Sequence, residues 1–409
     1  MRSPALFLVL AGACGGGPAP APPADGRSPD QGGETAGGGD LAGEWTTKGL
    51  AAYREGNVDR AKGAFDRALT LAPDDARAKV GMSLVHMARL EFALAARRLE
   101  GVDDPSAPPL RVMAAWLGGD LPTACAAAAE LGGGRGAQGL VASLCREPPS
   151  QPYRLEGAQQ ASLPLATNSP LPLVVATVDG RTARLLVDTG AAETILDREF
   201  AGAGETKWIR ELGLSTISMH DVPAFVRDLA PLSRGLQTDV DGILGLEVLR
   251  RLFTTLDYGE GWMLLRRDRS DAGPDATSVP FHLFMGRYLS IPLGLEGRPP
   301  VPALVANGGT FAVGLTDTAL RATGRDPDAL TREPDGMARY GLRSVEIGTL
   351  SVTDVPAVHP VFPTQVIEDS KVDFGAVISQ QLLAGFRITL DPERRVMAFE
   401  PGPEQPPGE

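Results

Sequence analysis

Aromatic residues are scarce in this 409-residue chain, at 5%. A surface that stacks nucleobases needs aromatic platforms, so a single-strand nucleic-acid groove is disfavoured. Basic charge is short as well: 39 Lys and Arg stand against 51 Asp and Glu, a formal net of −12. Phosphate recognition needs the opposite balance, and no nucleic-acid partner is expected. Histidines His86, His220, His282 and His359 are scattered, and only three cysteines occur. No zinc-ligand spacing can be built from them, so no metal and no cofactor are expected. Long apolar runs are missing too. The opening stretch Ala5–Ala11 is short of the ~20 residues that span a bilayer.

What the chain has in excess is glycine (49) and proline (35), above the usual ~7% and ~5%. Hydrophobic residues at 43% are enough for packed cores, and the length suggests about three domains. The opening Arg2 followed by an apolar run reads as a short signal peptide. It ends Leu10-Ala11-Gly12-Ala13-Cys14, which resembles a bacterial lipoprotein cleavage site, with Ala11 where leucine is usual. That resemblance implies a lipidated Cys14 at residues 1–14 and a membrane-anchored protein on the periplasmic or surface face of the cell envelope. An ordinary secretory signal is the other reading; both imply export. Residues 15–43 hold much of the glycine and proline and read as a flexible tether. Cys125 and Cys145 then remain, either paired as a disulfide or separate in a helical core.

Over residues 44–147 the pattern is helical and alanine-rich. The series Trp45, Gly49, Gly56, Ala61, Phe65, Ala68, Pro73 resembles the tetratricopeptide repeat in spacing. Small Gly49 and Ala61 let two helices approach, Phe65 fills the gap, and Pro73 ends the second helix. Ala95 and Leu99 repeat Ala61 and Phe65 one repeat later, and Leu110 to Leu131 reads as a degenerate third hairpin. Such arrays imply a groove for an unknown protein partner; a plain spacer is the alternative. Gly134-Arg135-Gly136-Ala137-Gln138-Gly139 fits the dinucleotide pattern G-x-G-x-x-G, but a helix precedes it where that chemistry needs a strand. It is read as a loop.

Beyond Pro148-Pro149 the period becomes strand-like. The apolar strand Leu185-Leu186-Val187 delivers Asp188-Thr189-Gly190-Ala191. A flap region comes next, then the apolar-apolar-Gly strand Asp241-Gly242-Ile243-Leu244-Gly245, a short helix and the closing strand Thr255-Leu256-Asp257. In that order the series resembles a lobe of the retropepsin-like aspartic peptidases. The resemblance implies Asp188 as catalytic carboxylate, Thr189 and Gly190 as its loop, and Ala191, Asp241, Gly242 and Gly245 as support. The series recurs. Leu295-Glu296-Gly297-Arg298 echoes Val178-Asp179-Gly180-Arg181, Asp354–Ala357 echoes Asp221–Ala224, and Ile388–Asp391 echoes Thr254–Asp257, at offsets of 117, 133 and 134. Two lobes, residues 160–270 and 278–401, are therefore expected in a mainly-β bilobal acid-protease fold behind an all-α helical-repeat module.

The second loop is degenerate: Ala306-Asn307-Gly308 stands where Asp188-Thr189-Gly190 stood, and Ala376-Val377-Ile378 is aligned with Ile243-Leu244-Gly245. Aspartic peptidases use two carboxylates sharing one proton, one activating water and the other polarising the carbonyl. Asp317 aligns poorly and suits a helix start, while Asp241, Asp257, Asp373 and Asp391 read as structural acids. The leading expectation is an exported aspartic-type peptidase with water activated at Asp188, either by that carboxylate alone or with the dyad completed in a homodimer that pairs two copies of lobe one. The alternative is a dead pseudo-peptidase that binds polypeptide as an envelope lipoprotein.

Overall fold

The computed structural model describes residues 38–132, 137–269, 272–361 and 364–402. Cys14, most of the stretch read as a tether and the first glycines of the G-x-G-x-x-G motif lie outside the described residues. The described chain forms two compact units that divide between Cys145 and Arg146.

The first unit consists of helices α1 (Gly38–Arg54), α2 (Val58–Leu71), α3 (Ala76–Ala88), α4 (Phe92–Arg98), α5 (Ala107–Leu117), α6 (Leu121–Glu130) and α7 (Ala137–Leu144). Successive helices pack as hairpins, α1 on α2, α3 on α4 and α5 on α6. Asn57, Asp75 and Asp120 start helices by accepting the amides of Arg60, Ala78 and Thr123. Phe65 is fully buried, and a Cβ on Gly49 or Gly81 would stand 2.6 or 2.3 Å from its ring. The small residues thus admit one aromatic ring between three helices. Helix α1 begins at Gly38, inside the segment read as tether, because Ala42 is buried and Thr46 bonds to Asp75. Cys125 and Cys145 are joined as a disulfide across α6 and the end of α7. No helix among the described residues is long and apolar enough to cross a membrane.

The second unit is bilobal and mainly β, with short helices between strands. Its first lobe contains β1 (Arg154–Gly157), β2 (Gln160–Pro164), β3 (Leu173–Val178), β4 (Arg181–Asp188), β5 (Thr194–Asp197), β6 (Thr206–Leu214), β7 (Ile217–Arg227), β8 (Gly242–Gly245), β9 (Phe253–Asp257) and β10 (Trp262–Arg266). Strand β1 pairs with β7, so this lobe begins before residue 160. The second lobe contains β11 (Thr277–Pro280), β12 (His282–Phe284), β13 (Tyr288–Leu295), β14 (Arg298–Val305), β15 (Val313–Leu315), β16 (Ala338–Ile347), β17 (Leu350–His359), β18 (Ala376–Ile378), β19 (Phe386–Asp391) and β20 (Val396–Pro401).

Each lobe closes into a six-stranded barrel. The order is β7-β5-β8-β4-β3-β6 in the first, closed by β6–β7, and β13-β14-β18-β15-β17-β16 in the second, closed by β13–β16. A further six-stranded sheet, β11-β20-β19-β9-β10-β2, joins the lobes. At its centre Thr255 faces Thr389, 134 residues later, with their hydroxyls 2.9 Å apart. The internal two-fold of the body passes here.

The repeat extends to single bonds. Asp179-Gly180 and Glu296-Gly297 both turn with positive φ, at 49° and 77° and at 51° and 72°, as a tight hairpin requires. Asp179 accepts the Arg210 amide at 2.8 Å, and Glu296 accepts the Arg343 amide at 2.9 Å. One expected register is corrected. Strand β4 pairs in parallel with β8, Val187 opposite Leu244 and Asp188 opposite Gly245. In the second lobe Val305 lies opposite Ile378. Ile243-Leu244-Gly245 therefore matches Val377-Ile378-Ser379, and the glycine has become Ser379 rather than Ile378. The expected flap region is also absent as a hairpin: β5 and β6 are joined by residues 198–205, half of them the one-turn helix Arg198–Ala201.

Candidate functional site

Residues Leu185, Leu186 and Val187 are buried because β4 is covered on both faces, one by the barrel core and the other by Leu171, Ile195 and Leu232. Such a strand delivers its last residue to the body's interior. Asp188 is 0% exposed. Its Oδ1 accepts the Gly190 amide at 2.8 Å and, from the other lobe, the Gly308 amide at 3.0 Å. Its Oδ2 is buried with no hydrogen-bond partner among the described residues. Burial pushes the carboxyl up to about 7, against the two amides that favour the charged form.

The two loops touch across the internal two-fold. A Cβ on Gly308 would lie 2.2 Å from Asp188 Oδ2, and a Cβ on Gly190 would lie 2.6 Å from the Ala306 methyl. Each glycine thus faces the equivalent residue of the opposite lobe, so Ala306 occupies the place related to Asp188. It too is 0% exposed, and it offers a methyl where Asp188 offers a carboxyl. The two glycines are close-approach residues here, since any side chain would drive the loops apart.

Beneath the carboxyl the loops interlock. Thr189 Oγ lies 3.0 Å from Val305 O and 2.7 Å from Asn307 Oδ1, so its single hydrogen is shared between two acceptors. The Thr189 amide donates to Asn307 Oδ1 at 2.8 Å, and Asn307 Nδ2 donates to Val187 O at 2.9 Å. Asn307 therefore answers Thr189 across the two-fold, reaching Val187 as Thr189 reaches Val305. A substitution read as decay in the sequence is a working cross-lobe clamp.

The other expected residues are placed as follows. Ala191 is fully buried and its carbonyl accepts the Leu246 amide. A Cβ on Gly245 would lie 2.1 Å from Glu193 O, and one on Gly242 would lie 2.6 Å from Ile195 O. Asp241 sits outside the site: it accepts the Arg184 amide at 2.8 Å, about 13 Å up β4 from Asp188. Asp257 and Asp391 accept the amides of Glu260 and Arg394, equivalent bonds in the two copies. Asp317 lies in the first turn of a helix capped by Thr316 and pairs with His359 at 3.2 Å. It does not join Asp188. Among the described residues no three His, Cys, Asp or Glu converge as metal ligands.

Two features were missed. Ser379 sits against the carbonyls of Ala306 and Gly309 and accepts the Gly309 amide at 3.0 Å, bracing the second loop. The constant offset of 134 that relates Thr255 to Thr389 also relates Gly245 to Ser379, and would have revealed it. Glu193, just after the first loop, pairs with Arg287 between β12 and β13 at 3.2 Å, both side chains mostly buried. A long-range ion pair of this kind leaves no local sequence signal.

No protein-family model matches this chain, and no curated protein matches it significantly.

Proposed function

We propose that the bilobal body is a retropepsin-like aspartic-peptidase fold that does not hydrolyse peptide bonds, and that the chain acts as a polypeptide-binding lipoprotein of the bacterial cell envelope. The observation that carries this reading is that Asp188 is fully buried and that Ala306, equally buried, holds the related position of the opposite lobe. Hydrolysis in this fold needs a split pair of carboxylates, one charged and one protonated, with water between them. Here a single carboxyl is sealed from solvent and Oδ1 is committed to two amides. Burial also favours its neutral form near neutral pH, so it is a poor base for water.

Asn307 and Ser379 support the same conclusion. Both replace catalytic-lobe residues with side chains that bind the loops more firmly. Completion of a dyad by a second copy of lobe one finds no support, because the surface of the Asp188 loop is already occupied by the Ala306-Asn307-Gly308 loop. The tetratricopeptide-like helices, with Phe65 seated on Gly49 and Gly81, supply the second polypeptide-binding element.

The test is proteolysis of an unfolded substrate from acid to neutral pH by wild type, Asp188→Asn and Ala306→Asp. Wild type and Asp188→Asn are expected to be equally inactive, with the unfolded polypeptide bound but intact. Acid-pH cleavage by wild type that Asp188→Asn abolishes would overturn the proposal and restore the peptidase reading.

A further inference from the structure

The acidic chain contains a cationic cleft in its helical unit. It lies between α3 and α4, has a volume of about 310 Å³, and is lined by Lys79, His86, Leu94, Arg97, Arg98 and Glu100. Arg97 and Arg98 occupy the last turn of α4 and are exposed, and their guanidinium groups have no ionic or hydrogen-bonding partner among the described residues. Among the described residues the Lys79 ammonium pairs with Asp74, whose side chain is 99% exposed, an ion pair that water and salt weaken readily. His86 is buried against Glu91 at 2.7 Å, and Glu91 is shared with Arg89, so that acid is already neutralised. Glu100 is the one acid lining the cleft.

We propose that this cleft binds the carboxylates of an acidic polypeptide segment. The proposal deepens the polypeptide-binding half of the proposed function and rests on it. Three observations favour a polypeptide over a compact anion. The cations are divided between two helices, Lys79 on α3 and Arg97 with Arg98 on α4, which suits charges spaced along a chain. Leu94, 43% exposed, adds an apolar seat beside them. Glu100 repels a concentrated charge such as a phosphate headgroup but leaves room for single carboxylates placed at the arginines. Guanidinium groups bind carboxylates with two parallel hydrogen bonds, so adjacent arginines give direction as well as attraction.

The experiment uses the full chain and fluorescence anisotropy with a labelled peptide of alternating Glu and Leu. A matched peptide of Gln and Leu, vesicles rich in phosphatidylglycerol, and an uncharged unfolded polypeptide are the other arms. The acidic peptide is expected to bind, to be released by salt, and to lose about tenfold in affinity to Arg97→Gln/Arg98→Gln. Equal binding by that double variant, equal binding of the Gln peptide, or binding to the vesicles alone overturns the proposal. If the uncharged polypeptide binds and the acidic peptide does not, the cleft assignment fails while the broader reading stands. If neither binds, both fail.

Discussion

Replacing Asp188 by Asn isolates the cost of keeping one carboxyl in a sealed site. Burial raises this group from 3.8 to about 7, and the native state therefore holds a proton that the unfolded chain has released across that window. The sign follows from linkage: where the native state binds more protons, stability falls as pH rises. A shift of about three units corresponds to at most about 4 kcal/mol, absent below about pH 4 and fully expressed above about pH 7. Asp188→Asn keeps an oxygen for the amides of Gly190 and Gly308 and cannot ionise. Its unfolding free energy is expected to match wild type within about 1 kcal/mol near pH 4 and to exceed it by about 2–4 kcal/mol near pH 8. Urea denaturation of the two proteins at both pH values measures this directly. Parallel pH dependences, or a variant less stable than wild type at high pH, would refute the account of Asp188 as a buried acid without function in its charged form.

Asn307→Ala removes the acceptor of the Thr189 amide and the donor to Val187 O, both buried, and is expected to cost about 3–5 kcal/mol. Thermal denaturation checks this at about 2–4 °C per kcal/mol, and Asn307→Asp, which lacks the donor, is expected to fare no better than Asn307→Thr. Glu296, gripped by both Arg325 nitrogens at 2.8 and 3.0 Å, is held down at about 2, so its stabilisation is present above its ordinary value near 4.5 and lost as pH falls toward 2. Glu296→Gln is expected to cost about 1–3 kcal/mol near neutral pH and much less in acid, read by urea titration. Joint replacement of Cys125 and Cys145 by Ser opens a loop between residues separated by 20 and is expected to cost the helical unit about 3 kcal/mol, seen as an earlier loss of helical circular dichroism.

Features generated by local rules were legible in the sequence, and features generated by contact across the two-fold were not. The hairpin turn Asp179-Gly180 announces itself because positive φ at both positions selects Gly and short polar residues, and Glu296-Gly297 follows as its repeat. The run Leu185-Leu186-Val187 reads as a strand buried on both faces because no polar residue interrupts it. The helical phase of Gly49, Ala61 and Phe65 is legible because one aromatic ring imposes small residues at set distances. Asn307 is the opposite case. Its value lies wholly in Thr189 and Val187, 118 and 120 residues earlier, and residue type alone gives no hint that an amide could replace a hydroxyl there. The start of α1 was obscured for a related reason: Gly38 and Gly39 have low helix propensity, and only packing at Ala42 and Thr46 outweighs it. Reading Ala306 and Asn307 as a joint loss therefore merged two different events. Ala306 contributes a methyl and no side-chain hydrogen bond, whereas Asn307 contributes bonds that hold the two loops together. A site decaying without constraint would weaken the lobe contact, so the clamp marks the closed body, rather than the missing acid, as what this chain requires to be maintained.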